Sequence, residues 1–226
     1  MPLARWKDLC LDTNDLSVSA EFWSAALDLR VEPRSEAITL LRGDTPERAT
    51  WINLVPEPKT GKNRVHPDLR VDLERLLALG ASVLREPDDE ISWHVLADPS
   101  GNEFCCFPRR PDQPETDGLS ELVVDSADAA ADAAWWAEVL GGVVGESDGV
   151  PWRWVEKAPA MPFPYLVFNP VPESKTVKNR WHWDVVSDDP DGLVSQGAVL
   201  LRGPADGIDW HVLADPAGNE FCVFAP

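Results

Sequence analysis

Two five-residue stretches hold the side chains best suited to chemistry. Residues 64–68 read Arg-Val-His-Pro-Asp and residues 180–184 read Arg-Trp-His-Trp-Asp. In both, a cation, an imidazole and a carboxylate occupy every second position. If each stretch is a β-strand, Arg64, His66 and Asp68 share one face, as do Arg180, His182 and Asp184. An imidazole titrates near neutral pH and suits a general base, so His66 and His182 are the candidate catalytic groups. A guanidinium offers a fork of donors to a carboxylate or phosphate, which makes Arg64 and Arg180 candidate ligand-binding residues together with Asp68 and Asp184. The alternative is structural: each Arg pairs with its Asp, as buried charges usually do. No phosphate-binding glycine loop, GxSxG elbow, CxxC pair or Ser/His/Asp arrangement is visible.

Both stretches belong to a longer repetition. WHVLADPSGNEFCCF at 93–107 returns as WHVLADPAGNEFCVF at 210–224, with 13 of 15 positions identical at an offset of 117. PEPKTGKNRVHPD at 56–68 returns as PESKTVKNRWHWD at 172–184, and LDTNDLSVSAEFWSAALDL at 11–29 aligns with VDSADAAADAAWWAEVLGG at 124–142. The offset drifts only from 113 to 117, so two copies of one fold differ by short loop insertions. The predicted domains are 1–110 and 118–226. PRRPDQPETD at 108–117, with its prolines and polar residues, reads as an exposed linker, centred on 111–117.

The elements that must position these residues repeat within each half as well. A strand-like run (8–12, 120–125) precedes a segment with helical apolar spacing: Phe22, Trp23, Ala26 and Leu27 in one half, Trp135, Trp136, Val139 and Leu140 in the other. Gly141 and Gly142 stand where the second helix should stop. Strands follow near 30–33, 37–42 and 50–55. The pattern then restarts, with a strand at 64–71, a helix near 72–79 and strands near 82–85, 92–97 and 103–107. Each half therefore reads as βαβββ twice. In the last hairpin Asp-Pro-Ser-Gly and Asp-Pro-Ala-Gly suit a type I turn, so turn chemistry accounts for part of the repetition.

Bulk composition narrows the function. The chain has 226 residues, 11 Trp and 7 Phe, enough for packed cores, and a formal charge of −19. That charge disfavours nucleic acid and anionic lipid as partners and leaves a small-molecule ligand as the expectation. Apolar runs fall short of a membrane span, and no apolar segment follows the first residues as an export signal would, so the expected location is cytoplasmic. Cys10, Cys105, Cys106 and Cys222 lack framework spacing and read as reduced thiols.

Four βαβββ units, the DP[SA]GNEFC ending and the KNRxHxD strand resemble the vicinal oxygen chelate superfamily, specifically its glyoxalase-like domains. That group includes glyoxalase I, bleomycin resistance proteins and extradiol dioxygenases. The resemblance covers nearly all of both halves and implies an α+β fold of two tandem domains, each a pair of βαβββ units forming a cupped mixed sheet. It also implies where a metal would sit. The first-strand ligand position falls on Asp8 and Glu121, the fourth on Asn53 and Asn169, the fifth on His66 and His182, and the eighth on Cys105 and Cys222. Metal-dependent members carry Glu at the eighth position, so this chain departs from them there. Zinc is the divalent metal this mixed set would tolerate best. Thiols in apolar strands resist ionisation, and the expectation is that no metal is tightly bound.

The superfamily contains lyases, isomerases, dioxygenases and non-catalytic binding proteins, so fold leaves function open. Read from sequence, the chain binds a small molecule in one cup per half, with Asn53, Arg64, Asp68, Asn169, Arg180 and Asp184 as ligand contacts. The alternative is a metal-dependent lyase, isomerase or dioxygenase acting on a small oxygenated substrate. The halves pack as a monomeric pseudo-dimer or the chain forms a homodimer. Trp51, Trp152 and Trp154 are candidates for a stacking wall, Trp181 and Trp183 for the core. Lys59, Lys62, Lys175 and Lys178 are candidates for a pocket rim.

Overall fold

The computed structural model describes residues 1–113 and 117–226; part of the predicted linker, 114–116, lies outside the described residues. The first unit comprises β1 (Arg5–Thr13), α1 (Leu16–Leu27), β2 (Arg30–Pro33), β3 (Ile38–Arg42) and β4 (Ala49–Leu54). The second comprises β5 (Val65–Arg70), α2 (Leu73–Ala78), β6 (Ser82–Arg85), β7 (His94–Ala97) and β8 (Glu103–Cys106). The third comprises β9 (Gly118–Ser126), α3 (Ala129–Leu140), β10 (Val143–Gly145), β11 (Arg153–Glu156) and β12 (Tyr165–Pro170). The fourth comprises β13 (Trp181–Val186), α4 (Pro190–Ser195), β14 (Val199–Arg202), β15 (His211–Ala214) and β16 (Glu220–Phe224). The chain is thus α+β, four βαβββ units in two eight-stranded mixed sheets.

The expectation of one cup per half gives way to cross-pairing. Sheet one runs β14-β15-β16-β13-β1-β4-β3-β2 and sheet two runs β10-β11-β12-β9-β5-β8-β7-β6. Each sheet therefore joins one unit from each half, through the antiparallel seams β1·β13 and β5·β9. In sheet one the first unit's leading strand has β4 on one side, and the free edge on its other side must be closed by some partner strand. All four leading strands alternate in the same way, so sequence pattern alone does not say which partner closes it.

Local signals set the long helices. Asp15 Oδ1 accepts from Val18 N at 3.1 Å and Asp128 Oδ1 from Ala131 N at 3.1 Å, N-caps that satisfy otherwise unpaired amides. Helix α3 ends at Gly141 with φ 70°, a left-handed cap that suits glycine. Both helices bury their aromatic faces between the two sheets. Trp23 meets Phe104 of sheet two and Trp181 of sheet one, and Trp136 meets Trp183 and Phe221.

The repeated hairpin does more than turn. Asp98 Oδ2 accepts from the Trp23 indole at 2.9 Å, while its Oδ1 accepts from the amides of Ser100 and Asn102. Asp215 receives Trp136 Nε1 at 3.0 Å in the other half. One carboxylate thus closes the turn and fixes a core tryptophan on the helix that precedes it by some 75 residues. Trp181 and Trp183 are fully buried, as the alternation predicted. The four cysteines are free thiols; Cys105 belongs to the cup face and Cys106 to the hydrophobic core. Among the described residues no helix is long and apolar enough to cross a membrane.

Candidate functional site

The inner face of sheet one gathers side chains from four strands. Asp8, Cys10 and Asp12 alternate along β1, with Trp51 and Asn53 on β4, His182 and Asp184 on β13, and Cys222 on β16. Strand register sets Asp8 across from Asp184 and Cys10 across from His182, while Cys10 also neighbours Trp51 and Asp184 neighbours Cys222. Trp51 Nε1 donates to Asp8 Oδ2 at 2.8 Å, and Lys7 Nζ lies 2.6 Å from the same oxygen. Cys10 Sγ donates to Asp184 Oδ2 at 3.5 Å. Asn53 reaches Asp12 Oδ1 at 3.4 Å, and Lys178 forms an ion pair with Asp12.

Several polar atoms of this first cup are left over. Asp8 Oδ1, His182 Nδ1 and Asp184 Oδ1 are buried without a partner. Burial, then the charge of Asp8 and a hydrogen bond with it, pushes the Asp184 carboxyl well above the usual range, so the protonated Asp184 can share its proton with Asp8 across the seam. Burial lowers the His182 imidazole, and burial followed by the charge of Asp184 raises the Cys10 thiol.

Sheet two builds a second cup with different internal bonds. His66 Nδ1 lies 2.9 Å from Asp68 Oδ1, both buried. Across the seam His66 faces Val123 and Asp68 faces Glu121, and on its other side Asp68 neighbours Cys105. Burial opposes protonation of His66, but the charge and hydrogen bond of Asp68 outweigh it, so the imidazole is raised. Burial, then the charge of Asp68, lifts Glu121 to about 7. Arg70 Nη2 stands 3.9 Å from Glu121, a weak counterweight, with its guanidinium 5.1 Å from the centre of Phe107. Trp93 stacks on Phe107 at 4.9 Å, as Trp210 does on Phe224 at 5.4 Å.

A cavity of about 280 Å³ opens at one end of the first cup. Trp51 and Leu40, directly paired across β3 and β4, form an apolar wall. Asp8 lies at its inner side, and Arg5, Lys7 and Arg42 surround it. Lys7 Nζ sits 4.3 Å from the Phe224 ring centre, and Arg42 Nε is 3.2 Å from Glu32. Two carboxylates, Asp8 and Glu47, line the same opening, and Lys7 and Arg42 are paired with Asp8 and Glu32, so Arg5 is the cation there without a side-chain partner among the described residues.

The residues expected to act together within each half are therefore regrouped. Asp8 and Asn53 meet His182 and Cys222, whereas Glu121 and Asn169 share a sheet with His66 and Cys105. Arg64 and Arg180 do not present free forks to a ligand. Arg64 donates to the carbonyls of Glu173 and Asp125, and Arg180 to those of Asp12 and Glu57 and to Asn14 Oδ1. They clamp one half to the other, and the expected Arg–Asp pairing within each stretch is replaced by these carbonyls. The rim lysines are committed too: Lys59 to Glu103, Lys62 to Asp125, Lys175 to Glu220 and Lys178 to Asp12. Trp154 pairs across from Val167 on the second cup's face, while Trp152 is exposed.

Sequence reasoning passed over Cys10, Arg5, Lys7 and Arg42. Cys10 was accessible by alternation, two residues from Asp8 on the same strand. The cations were not, because Lys7 lies at a β-bulge between Trp6 and Asp8, where alternation fails.

The metal positions implied by the resemblance fit the two cups unequally. In the second cup His66 and Asp68 satisfy each other, and Cys105, beside Asp68, is a thiol that burial and that carboxylate hold protonated. In the first cup His182 Nδ1 is left without a partner and the thiol within reach is Cys10 rather than the implied Cys222, but burial and the charge of Asp184 hold that thiol protonated too; each cup thus carries one His, one Asp and one Cys whose ligand atoms lie within 4.8 Å of one another.

Residues 8–107 and 121–224 each match the glyoxalase-like domain. No curated protein matches the chain. Among solved structures, glyoxalase I from Zea mays superposes with a TM-score of 0.67 at 16% identity, covering 97% of this chain and 92% of that one. A putative dioxygenase from Bacillus subtilis gives 0.64 at 11% identity over 99% and 86%. CppA from Streptococcus pneumoniae gives 0.51 at 13% over 99% and 100%. At such identities these likenesses speak for the fold alone. The two matched regions span most of the sequence, and the chain belongs to the glyoxalase-like domain family, as a tandem of two such domains.

Proposed function

We propose that this protein binds a small molecule bearing an anionic or carbonyl group on a flat apolar body, held at the open end of the first cup. One observation carries the reading: the cavity that combines the Trp51–Leu40 wall with Arg5, Lys7 and Arg42. An indole supplies a large apolar face, and cations at its edge select for negative charge, the usual division of labour in a ligand pocket. The acidic remainder of the surface repels polyanions, so charge is offered to a ligand only where the molecule can enter the cavity. Calorimetric titration of aromatic carboxylates and 2-oxo acids against the wild type and Trp51→Ala, Arg5→Ala and Lys7→Ala tests this. Binding that weakens by about 1 to 3 kcal/mol on loss of a cation supports it; affinities equal in all four proteins refute it.

A second reading, catalysis by proton transfer, draws on the second cup. His66 is oriented by Asp68, and Glu121 lies across the seam from that Asp. An oriented imidazole beside a carboxyl poised near neutrality has the components of an acid–base pair acting next to a carbonyl. Exchange of carbonyl α-protons into deuterated water, followed by NMR and lost in His66→Gln, is its test. A panel of small aldehydes and ketones that never exchanges above the uncatalysed rate removes it.

A further inference from the structure

A cavity of about 380 Å³, larger than the one at the end of the first cup, opens between the two sheets. Strand alternation puts it behind the cup. Asp8 and Trp51 face the cup, whereas Leu9 belongs to the core and Thr50 is its direct partner across β1 and β4. Sheet two adds Leu119 from the start of β9, the segment before β12 adds Phe163, and the end of α1 adds Leu27. Trp6, Leu9, Leu27 and Phe163 are buried, so most of the wall is apolar and fixed by the packing of the sheets. Its volume falls within the range of small-molecule pockets, about 300 to 1,000 Å³.

Two features break the apolar wall. Thr50 is only 3% exposed and sits in register between Leu9 and Leu41, both in the core, yet its hydroxyl makes no hydrogen bond among the described residues. A buried hydroxyl is ordinarily satisfied, and the cavity that Thr50 lines is where a partner can reach it. The second feature is charge. Four charged residues line the cavity: Asp44, Glu47, Arg48 and Asp117. Arg48 is held by Asp44 at 3.1 Å and by the Leu27 carbonyl, and Asp117 is paired with Arg109. Glu47 has no cationic partner among the described residues, which leaves one uncompensated carboxylate at the opening.

We propose that this cavity is a second small-molecule site and that it takes a protonated amine on an aromatic or branched apolar body. The body fills the space bounded by Trp6, Leu9 and Leu119, and the ammonium donates to Glu47 and to Thr50 Oγ1, three residues apart on the run into β4. An ammonium carries three donors, so it serves both acceptors at once. An anion finds no free cation here, since Arg48 is committed. A neutral apolar molecule leaves Thr50 unpaired. The chain's net charge of −19 adds a field that draws cations in. The site does not rest on the ligand assigned to the cup: the two cavities lie on opposite faces of sheet one and ask for opposite charges. Trp6, Glu47 and Ala49 border both, whereas Leu119 and Thr50 line only this one and Trp51 only the other.

Calorimetric titration of the full-length protein with 1-naphthylmethylamine, 1-naphthylmethanol and 1-naphthoate tests the proposal, in about 0.15 M salt to screen diffuse attraction to the acidic surface. The wild type should bind one equivalent of the amine in this cavity, about tenfold or more tightly than the alcohol. Glu47→Gln should remove most of that preference, a loss of about tenfold. Thr50→Val, which keeps the shape and deletes the hydroxyl, should weaken the amine several-fold without lowering the melting temperature. Leu119→Trp should fill the cavity and abolish amine binding, and its melting curve will show that it folds. Trp51→Ala should leave amine affinity unchanged, which separates this site from the cup. Equal affinity for amine and alcohol, amine binding that survives both Leu119→Trp and Glu47→Gln, or amine binding lost in Trp51→Ala overturns it.

Discussion

His66 Nδ1 sits 2.9 Å from Asp68 Oδ1, and this bond raises the imidazole despite its burial. A group whose pKa is raised on folding stabilises the fold below its unfolded pKa, and that contribution disappears as pH climbs through the folded value. Asp68→Asn should therefore bring the His66 titration, followed by NMR, down toward or below the ordinary imidazole range. Its stability loss should be larger near about pH 5 than near about pH 8. A His66 titration curve unmoved by the substitution would show that Asp68 does not control it.

Glu121 gives the opposite slope. Its carboxyl is lifted from 4.5 to about 7 by burial and by Asp68, so the folded state holds a proton that the unfolded chain releases. Stability should then fall as pH rises from about 4.5 to about 7, by up to about 3 kcal/mol. In urea denaturation Glu121→Gln should lose this slope and exceed the wild type in stability near about pH 8. Parallel stability–pH curves for the two proteins would contradict the assignment.

How far sequence reached differs between levels. The four βαβββ units were legible because helical spacing, strand alternation and the Asp-Pro-x-Gly turns are local signals, and the faces of Trp181 and Trp183 followed from alternation. The partnership of the sheets was not, since the leading strands β5, β9 and β13 alternate alike and the pattern does not say which of them closes the edge of β1. The site suffered accordingly. Asp8 and His182 were both singled out as candidates, but in separate halves, and Arg64 and Arg180 were assigned to ligands because alternation says nothing of the carbonyls that meet them.

The repeated hairpin predicts a matched pair of defects. Asp98→Ala removes the acceptor for Trp23 Nε1 and for the amides of Ser100 and Asn102, and Asp215→Ala does the same for Trp136 and Asn219. Each should cost about 2 to 4 kcal/mol in chemical denaturation, because buried donors are left unpaired. A loss under about 1 kcal/mol would mean that water replaces the carboxylate.

Cross-pairing makes each half dependent on the other. A chain of residues 1–113 lacks the strands that close β1 and β5, so alone it should self-associate or fail to unfold cooperatively. Mixed with residues 117–226 it should form a one-to-one complex that sediments like the intact chain. Two halves that are each monomeric, each cooperative and mutually indifferent would refute the strand order.

The central claim is that a small molecule occupies the open end of the first cup, and a crystallographic screen with carboxylate- and carbonyl-bearing aromatic fragments tests it most directly. Fragments should lie on Trp51 with their polar group toward Arg5, Lys7 or Arg42, in the cavity of about 280 Å³. Fragments that bind elsewhere on the protein while this cavity stays empty would contradict it.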